Sequence, residues 1–266
     1  LFPYTTLFRS PMFVGALIAM PAMLVYLSVP RLLDRYDPEP LYSLTLALLW
    51  GAIAACGYSI TVNTLVGSVT GESFATVVSA PIVEEFTKGI MVAGLFFFLK
   101  HEFDGVLDGI IYATFTAIGF AGVENILYYG QAYSEAGGEG LAITVLLRGF
   151  LTPWGHPLYT SMIGIGFGLA REGSNQALRW LAPVAGYVAA VLLHMLWNGL
   201  ALLSEAMQTS AVFLLLLPVW FAFVAAFLVM VTVLARRRGR IIRQHLVDEV
   251  LIGVLSQAEV DLACSA

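Results

Sequence analysis

The chain has 266 residues, of which 59% are hydrophobic and 12% are charged, and its formal net charge is −5 at pH 7. Soluble domains carry about 25% charged residues, so this composition excludes an ordinary soluble protein and predicts an all-α, polytopic transmembrane bundle. Apolar runs of about 20 residues that do not alternate exclude a β-barrel. The two cysteines form no CxxC motif, and nothing indicates binding to nucleic acid.

The chain divides into three parts. Residues 1–10, LFPYTTLFRS, resemble a translated sequencing adapter, and we treat them as a cloning or sequencing artefact. Residues 11–235 form the predicted membrane domain, and residues 236–266 form a predicted cytoplasmic basic tail with a short amphipathic helix. About seven spans are expected in the membrane domain, near 11–29, 41–66, 74–99, 105–131, 141–170, 178–203 and 211–235.

Basic residues predict the orientation of these spans. Ten of them fall on one side if there are seven spans: Arg31, Arg35, Lys100, Arg171, Arg179, Arg236, Arg237, Arg238, Arg240 and Arg243. The opposite loops, near 67–73, 132–140 and 204–210, contain no lysine or arginine. By the positive-inside rule, the C-terminus is cytoplasmic and the first span enters from outside.

The third span contains three charged residues in the segment EEFTK at 84–88. Each charge inside a bilayer costs about 2.5–3.5 kcal/mol even on the lenient insertion scale. On a helix, Lys88 can pair with Glu84 at i,i+4 or with Glu85 at i,i+3, and we expect Glu84 to be its better partner. Glu85 is then the preferred general base. The alternative explanation is an ion pair that only holds helices together, but such a pair would need only one of the two glutamates.

Three other spans also carry polar residues. The fourth span contains Glu124 and Asn125, the fifth contains His156 between two prolines, and the sixth contains His194 and Asn198 at i,i+4. The fifth span is expected to be kinked or broken at its prolines. Taken alone, His156 and the pair His194 and Asn198 are also explained as packing residues that form hydrogen bonds between helices. Glu124 alone is also explained as a residue that faces a lipid headgroup or a loop.

Their depths favour a shared site. Glu85, Glu124 and His194 lie about ten, seven and nine residues from the outer ends of their spans. At 1.5 Å per residue, these positions fall within about 5 Å of one level. Zinc hydrolases use three histidine or carboxylate ligands, so Glu124, His156 and His194 are a candidate set of metal ligands. A metal-free version, in which a glutamate activates water and His194 and Asn198 stabilise the oxyanion, fits the same residues.

Three motifs carry a resemblance to a known family. EEFTK at 84–88, FAGVE at 120–124 and HMLWN at 194–198 resemble the motifs of the PrsW family of intramembrane proteases, and DRYDPEP at 34–40 is similar to an early acidic loop of that family. The family is distantly similar to the CAAX prenyl-protease and bacteriocin-processing group. The resemblance covers roughly residues 11–245. It implies an endopeptidase of the bacterial inner membrane that cleaves membrane-anchored proteins, with an anti-sigma factor as the best-known substrate type.

The resemblance also assigns roles to residues. Carried over by motif, Glu84, Glu85, Glu124 and His194 are implied as catalytic. Four further polar residues are expected to support them because of their positions in the same spans: Lys88, Asn198, His156 and Asn125. Asn198 stands where the family motif has aspartate. A neutral asparagine suits the role of an oxyanion donor better than that of a metal ligand. Zinc is therefore one of two versions of the site. A proton- or ion-coupled transporter that uses the same Glu/His cluster is the alternative function, although no internal repeat typical of transporters is present. A scaffold without catalytic activity is the third candidate function.

Overall fold

A computed structural model describes residues 4–209 and 211–264, which are almost entirely helical and contain no β-strand. The expected all-α, polytopic membrane bundle is confirmed. Residues 1–3 of the suspected artefact lie outside the described residues, and the first helix, α1, runs from Tyr4 to Leu33. The division of the chain at residue 236 stays a prediction.

The next two helices lead to the paired glutamates. Helix α2 spans Leu41–Thr70 and contains a π-helical segment at Trp50–Ala55. Gly71 then turns the chain, which its φ of 92° allows because glycine has no Cβ. A short helical lead-in and a π-helical segment, Ala75–Ser79, precede helix α3, Ala80–Phe98. Pro81 lies in the first turn of α3, directly after the π-helical segment.

The longest apolar stretch, Val106–Glu172, is broken as the prolines predict. Helix α4, Val106–Thr144, bends at Gly137, whose φ is 62°, and continues into a π-helical segment, Val145–Leu151. The chain leaves helical geometry at residues 152–154, and helix α5 begins at Gly155 and ends at Glu172. The break places His156 in the first turn of α5, where it is free to point away from the preceding segment.

Two long helices complete the bundle. Helix α6 spans Gln176–Ala206 and is capped by Asn175, whose side chain accepts from the N–H of Ala177 at 2.8 Å. Helix α7, Ala211–His245, continues through the basic residues after 235 without interruption. The short helices α8, Val247–Leu251, and α9, Gln257–Ala263, follow it.

Five helical stretches of the described residues are long and apolar enough to cross a membrane: Pro11–Leu33, Leu41–Thr70, Val106–Glu172, Gln176–Ala206 and Leu214–Leu251. The third is 67 residues long and covers the two expected spans 105–131 and 141–170, which lie on either side of the bend at Gly137. Helix α3 was also expected to be a span, but it carries three charged residues within 19. The expected seven spans therefore correspond to these five stretches, with one divided, and α3.

Helix α4 is the centre of the bundle and packs closely on its neighbours through glycines. A Cβ on Gly109 of α4 would lie 2.2 Å from the carbonyl oxygen of Gly164 in α5. A Cβ on Gly51 of α2 would lie 1.9 Å from the carbonyl oxygen of Thr116 in α4. Small residues at such crossings let helix backbones approach closely, which is the usual packing device in membranes. These crossings bring α2, α4 and α5 around one polar centre.

Candidate functional site

The EEFTK segment is buried inside the bundle. The side chains of Glu85 and Lys88 are 0% exposed, and that of Glu84 is 9% exposed. Lys88 Nζ lies 2.7 Å from Glu85 Oε1 and 3.8 Å from Glu84 Oε2. The expectation that Glu84 is the better partner of Lys88 was wrong. The i,i+4 rule describes isolated helices, and here groups on other helices decide the pairing.

Glu85 has hydrogen bonds at both carboxylate oxygens. Its Oε1 lies 3.0 Å from Nδ1 of His194 on α6, and Thr160 of α5 donates to its Oε2 at 2.8 Å. A carboxylate accepts from a protonated ring nitrogen, so this contact assigns the His194 proton to Nδ1 and the lone pair to Nε2. Together with Lys88, these partners occupy both oxygens of Glu85 and make it a residue that orients its neighbours, not the general base expected from the sequence.

Glu84 differs from its neighbour in having a free oxygen. Its Oε2 is buried and has no hydrogen-bond partner among the described residues. Nε2 of His194, which carries the lone pair, lies 4.0 Å from this oxygen. Buried carboxylate oxygens are normally hydrogen-bonded, so an unpartnered one indicates a reactive group or a ligand for a cation.

Glu124 and His156 form a second pair beside the first. His156 Nε2 lies 2.9 Å from Glu124 Oε2, and Lys88 Nζ lies 3.1 Å from His156 Nδ1. The carboxylate assigns the proton to Nε2, and Nδ1 then accepts from the lysine ammonium. The two imidazole rings are 5.1 Å apart between centroids. Predictions for four separate spans therefore converge on one cluster.

Aromatic rings hold the two imidazoles in place. The ring of Tyr159 stacks on His194 with centroids 5.0 Å apart, and the ring of Phe120 lies 5.3 Å from His156. Lys88 Nζ also lies 4.2 Å from the centroid of the Phe120 ring. A cation over an aromatic face is stabilised by the ring quadrupole, more so when it is buried.

The two supporting asparagines have different positions. Asn125 accepts a hydrogen bond at 2.9 Å from Arg148 Nε, and it lies beside Glu124 on α4. The side chain of Asn198 donates to the carbonyl oxygen of Thr76 at 2.9 Å, so its amide also ties α6 to the segment that precedes α3. Both residues line the cavity described next.

A cavity of about 880 Å³ opens from the cluster between the helices. Glu84, Glu124, His156 and His194 line it. Its wall also includes Glu72, Gln131 and Glu205, which lie at or beside the loops that the charge pattern predicts to be outside the membrane. Glu85 of the same cluster does not line this cavity but lies just behind its wall.

Three residues of the site have no role in the predictions made from the sequence. Arg148 pairs with Glu124 Oε2, Thr160 bonds Glu85, and Tyr159 stacks on His194. Arg148 is a charge inside an apolar run, and Thr160 is at i,i+4 from His156, so both carried a signal. The role of Tyr159 follows only from helix packing.

A metal-compatible group is present among the described residues. Glu84, His156 and His194 each offer a ligand atom, and these atoms lie within 4.8 Å of one another. The set differs from the expected one in having Glu84 in place of Glu124. Glu124 instead bonds His156, as Glu85 bonds His194. Ligand histidines usually carry such a carboxylate on the other ring nitrogen, so this donor set fits a zinc site with an open position. The lone pair of His156 Nδ1 accepts from Lys88 in this structure, so a zinc ion would displace that hydrogen bond.

Comparisons with known proteins place the motifs in context. Residues 39–238 match the family described as PrsW family intramembrane metalloprotease. Protease PrsW of Geobacillus kaustophilus is 31% identical over 185 residues, which is 67% of this chain and 76% of that protein. Protease PrsW of Clostridioides difficile is 29% identical over 67% of this chain and 75% of that protein, and Protease PrsW of Bacillus subtilis is 28% identical over 63% and 73%. No solved structure matches.

The range matched by the family, residues 39–238, can be compared with the residues predicted from the sequence. It contains every predicted site residue and the whole of the lined cavity, whereas the loop at 34–40 lies mostly before it. The family resemblance of that loop is therefore not supported by the match.

Proposed function

Because this chain belongs to the PrsW family of intramembrane metalloproteases, we propose that its Glu/His cavity hydrolyses a peptide bond next to the membrane anchor of a protein substrate. The chain is a membrane-embedded peptidase of a family found in bacteria, and the bacterial inner membrane is the proposed location. The cavity extends toward loops predicted to be outside, which supports a scissile bond on the extracytoplasmic side. A single-span anti-sigma factor is the proposed substrate type.

The free oxygen of Glu84 is the observation that carries the proposal. Among the described residues this oxygen is buried and accepts no hydrogen bond, and it lies 3.8 Å from Lys88 Nζ and 4.0 Å from His194 Nε2. Without a metal, Glu84 Oε2 would take a proton from a water in the cavity as that water attacks the substrate carbonyl. With zinc, Glu84, His156 and His194 would hold the ion, which would act as a Lewis acid and lower the pKa of water.

The other residues of the cluster have supporting roles in both versions. Glu85 holds His194 with its lone pair toward the cavity, and Glu124 fixes His156. Lys88 compensates the charge of Glu85 inside the bundle. The fixed hydrogen bonds keep these groups in place before substrate arrives, which is what electrostatic preorganisation requires.

Cleavage of a defined reporter tests this function. The purified protein is reconstituted in liposomes with a single-span protein that carries an extracytoplasmic juxtamembrane segment. Glu84→Gln and His194→Ala are each expected to lower cleavage by at least about 100-fold, as removal of a general base or a ligand does. Glu205→Gln, on the exposed part of the cavity wall, serves as the matched control. Unchanged cleavage in both site variants would overturn the proposal.

The transporter alternative is not favoured. The family match concerns proteases, and the clustered carboxylates and imidazoles are accounted for by a hydrolytic centre.

A further inference from the structure

Arg148 is a charged side chain of the cavity wall that contacts the Glu/His cluster but has no role in the proposed chemistry. It lies in the π-helical segment Val145–Leu151, just before the break in the long apolar stretch. Its side chain is 29% exposed and lines the cavity together with Glu124, which is 18% exposed. A charged residue at membrane depth is costly and usually marks function, and π-helical segments occur often at functional sites.

Three contacts with one face of α4 fix the guanidinium group. Its Nη2 pairs with Glu124 Oε2, and its Nε donates to Asn125 Oδ1 at 2.9 Å. Its central carbon lies 3.9 Å from the centroid of the Tyr128 ring. A planar group with two directional hydrogen bonds and a stacked ring has a single orientation, which a lysine ammonium would not reproduce.

The segment that carries Arg148 is itself held in place. The hydroxyl of Tyr26 on α1 donates to the carbonyl oxygen of Gly149. A Cβ on Gly149 would lie 2.8 Å from the Tyr129 hydroxyl of α4, so the backbone here is packed closely against that helix. Arg148 is therefore presented to Glu124 from a fixed support.

The oxygen that Arg148 holds is the one that faces the imidazole. Glu124 Oε2 both pairs with Arg148 and lies 2.9 Å from His156 Nε2. This carboxylate determines which nitrogen of His156 carries the proton and which faces Lys88 and the rest of the cluster.

We propose that Arg148 is a positioning residue that acts through Glu124 to orient His156 in the hydrolytic centre. The inference rests on the proposed function of Glu84, His156 and His194. It predicts that removal of Arg148 leaves the fold in place but releases the Glu124 carboxylate, so that His156 loses its fixed orientation.

The test measures zinc affinity and cleavage in the same preparations. Loss of an outer-shell partner typically lowers metal affinity or activity by about 10- to 100-fold, and we expect Arg148→Ala to do so for zinc, measured by competition with a chelator. The fall in cleavage should be in kcat, with KM changed less than about threefold. Arg148→Lys should recover little, and added methylguanidinium should restore part of the kcat of Arg148→Ala.

A double-mutant cycle separates positioning from general packing. If Arg148 acts through Glu124, the variant Arg148→Ala/Glu124→Gln loses no more kcat than Glu124→Gln alone. Arg171→Ala is the matched control. Like Arg148, Arg171 combines a hydrogen bond, to the carbonyl oxygen of Phe96, with a contact to an aromatic ring, that of Phe96. Unlike Arg148, it does not line the cavity.

The outcomes distinguish the positioning role of Arg148 from the proposed function. Additive losses, or unchanged kcat in Arg148→Ala, would overturn the positioning role and leave the proposed function standing. If the wild type cleaves the reporter without binding zinc, the double-mutant cycle on kcat alone tests whether Arg148 acts through Glu124. A wild type that neither binds zinc nor cleaves would overturn both proposals. Thermal melting of each variant shows whether a loss comes from unfolding, and rescue by methylguanidinium distinguishes positioning even in a less stable variant.

Discussion

Lys88 donates a hydrogen bond to Glu85 at 2.7 Å, and this pairing divides two adjacent glutamates into different roles. Glu84 is left 3.8 Å from the same ammonium, with a buried oxygen that has no hydrogen-bond partner among the described residues. The division is made by α5 and α6, since Thr160 and His194 add their hydrogen bonds to Glu85.

Substitution of the two glutamates should therefore have different effects on stability. Glu85→Gln leaves buried Lys88 without its closer ion-pair partner, and breaking a buried pair typically costs about 3–5 kcal/mol. Glu84→Gln removes a carboxylate with no hydrogen bond at Oε2, so its melting temperature should stay close to that of the wild type while cleavage is lost. Thermal unfolding in detergent, followed by circular dichroism, compares the two variants. A melting temperature lowered equally in both would contradict the division of roles.

Zinc binding should depend on the two histidines. His156→Ala and His194→Ala are each expected to reduce bound zinc from about one ion per chain to well below it, measured by elemental analysis of purified protein. Treatment with a chelator should abolish cleavage, and added zinc should restore it. His245→Ala, at the end of α7, is the control. Full cleavage in chelator would favour the version in which Glu84 acts as the base without a metal.

The pH dependence of stability should respond to Glu39, which lies in the loop between α1 and α2. The pKa of Glu39 is raised from 4.5 to about 9, mainly by burial and also by the nearby carboxylates of Asp108 and Asp34, although a hydrogen bond from Tyr112 opposes the shift. The folded protein then binds more protons than the unfolded chain between these values, so the free energy of unfolding falls as pH rises toward 9.

Glu39→Gln should flatten this dependence. Glutamine cannot ionise, so the melting temperature of the variant should fall less than that of the wild type between pH 6.5 and 9. This window lies above the pKa of Asp34, which burial raises to about 6. Asp248→Asn, an exposed position in α8, is the control. Parallel curves for the wild type and Glu39→Gln would refute the expectation.

The crossing of α4 and α5 should not tolerate a methyl group. A Cβ on Gly164 would lie 2.1 Å from the carbonyl oxygen of Gly109, so Gly164→Ala must force the helices apart. Overpacking of this kind costs about 1–3 kcal/mol. A Cβ on Gly57 of α2 would meet nothing within 4 Å, so Gly57→Ala should be neutral or slightly stabilising. Equal melting temperatures for the two variants would show that the crossing is looser than described.

Much of the fold could be predicted from hydropathy and local sequence signals. Long apolar runs require helices in lipid, and Pro153 and Pro157 lie at the break before α5 that they predicted. The count of about seven spans follows from the same runs, although three charges set α3 apart from the others. The orientation of the bundle rests on the distribution of basic residues and stays a prediction.

The sequence by itself determined which polar residues share a depth in the membrane, because helical rise converts chain position into height. It therefore placed Glu85, Glu124 and His194 at one level, whereas His156 is deeper by residue count and joined them as a candidate metal ligand. Only the tertiary structure decided which carboxylate holds which imidazole, that Arg148 joins the group, and that Glu84 keeps a free oxygen. Those choices depend on the rotation and close approach of neighbouring helices, and helical periodicity along a single span contains no information about its neighbours.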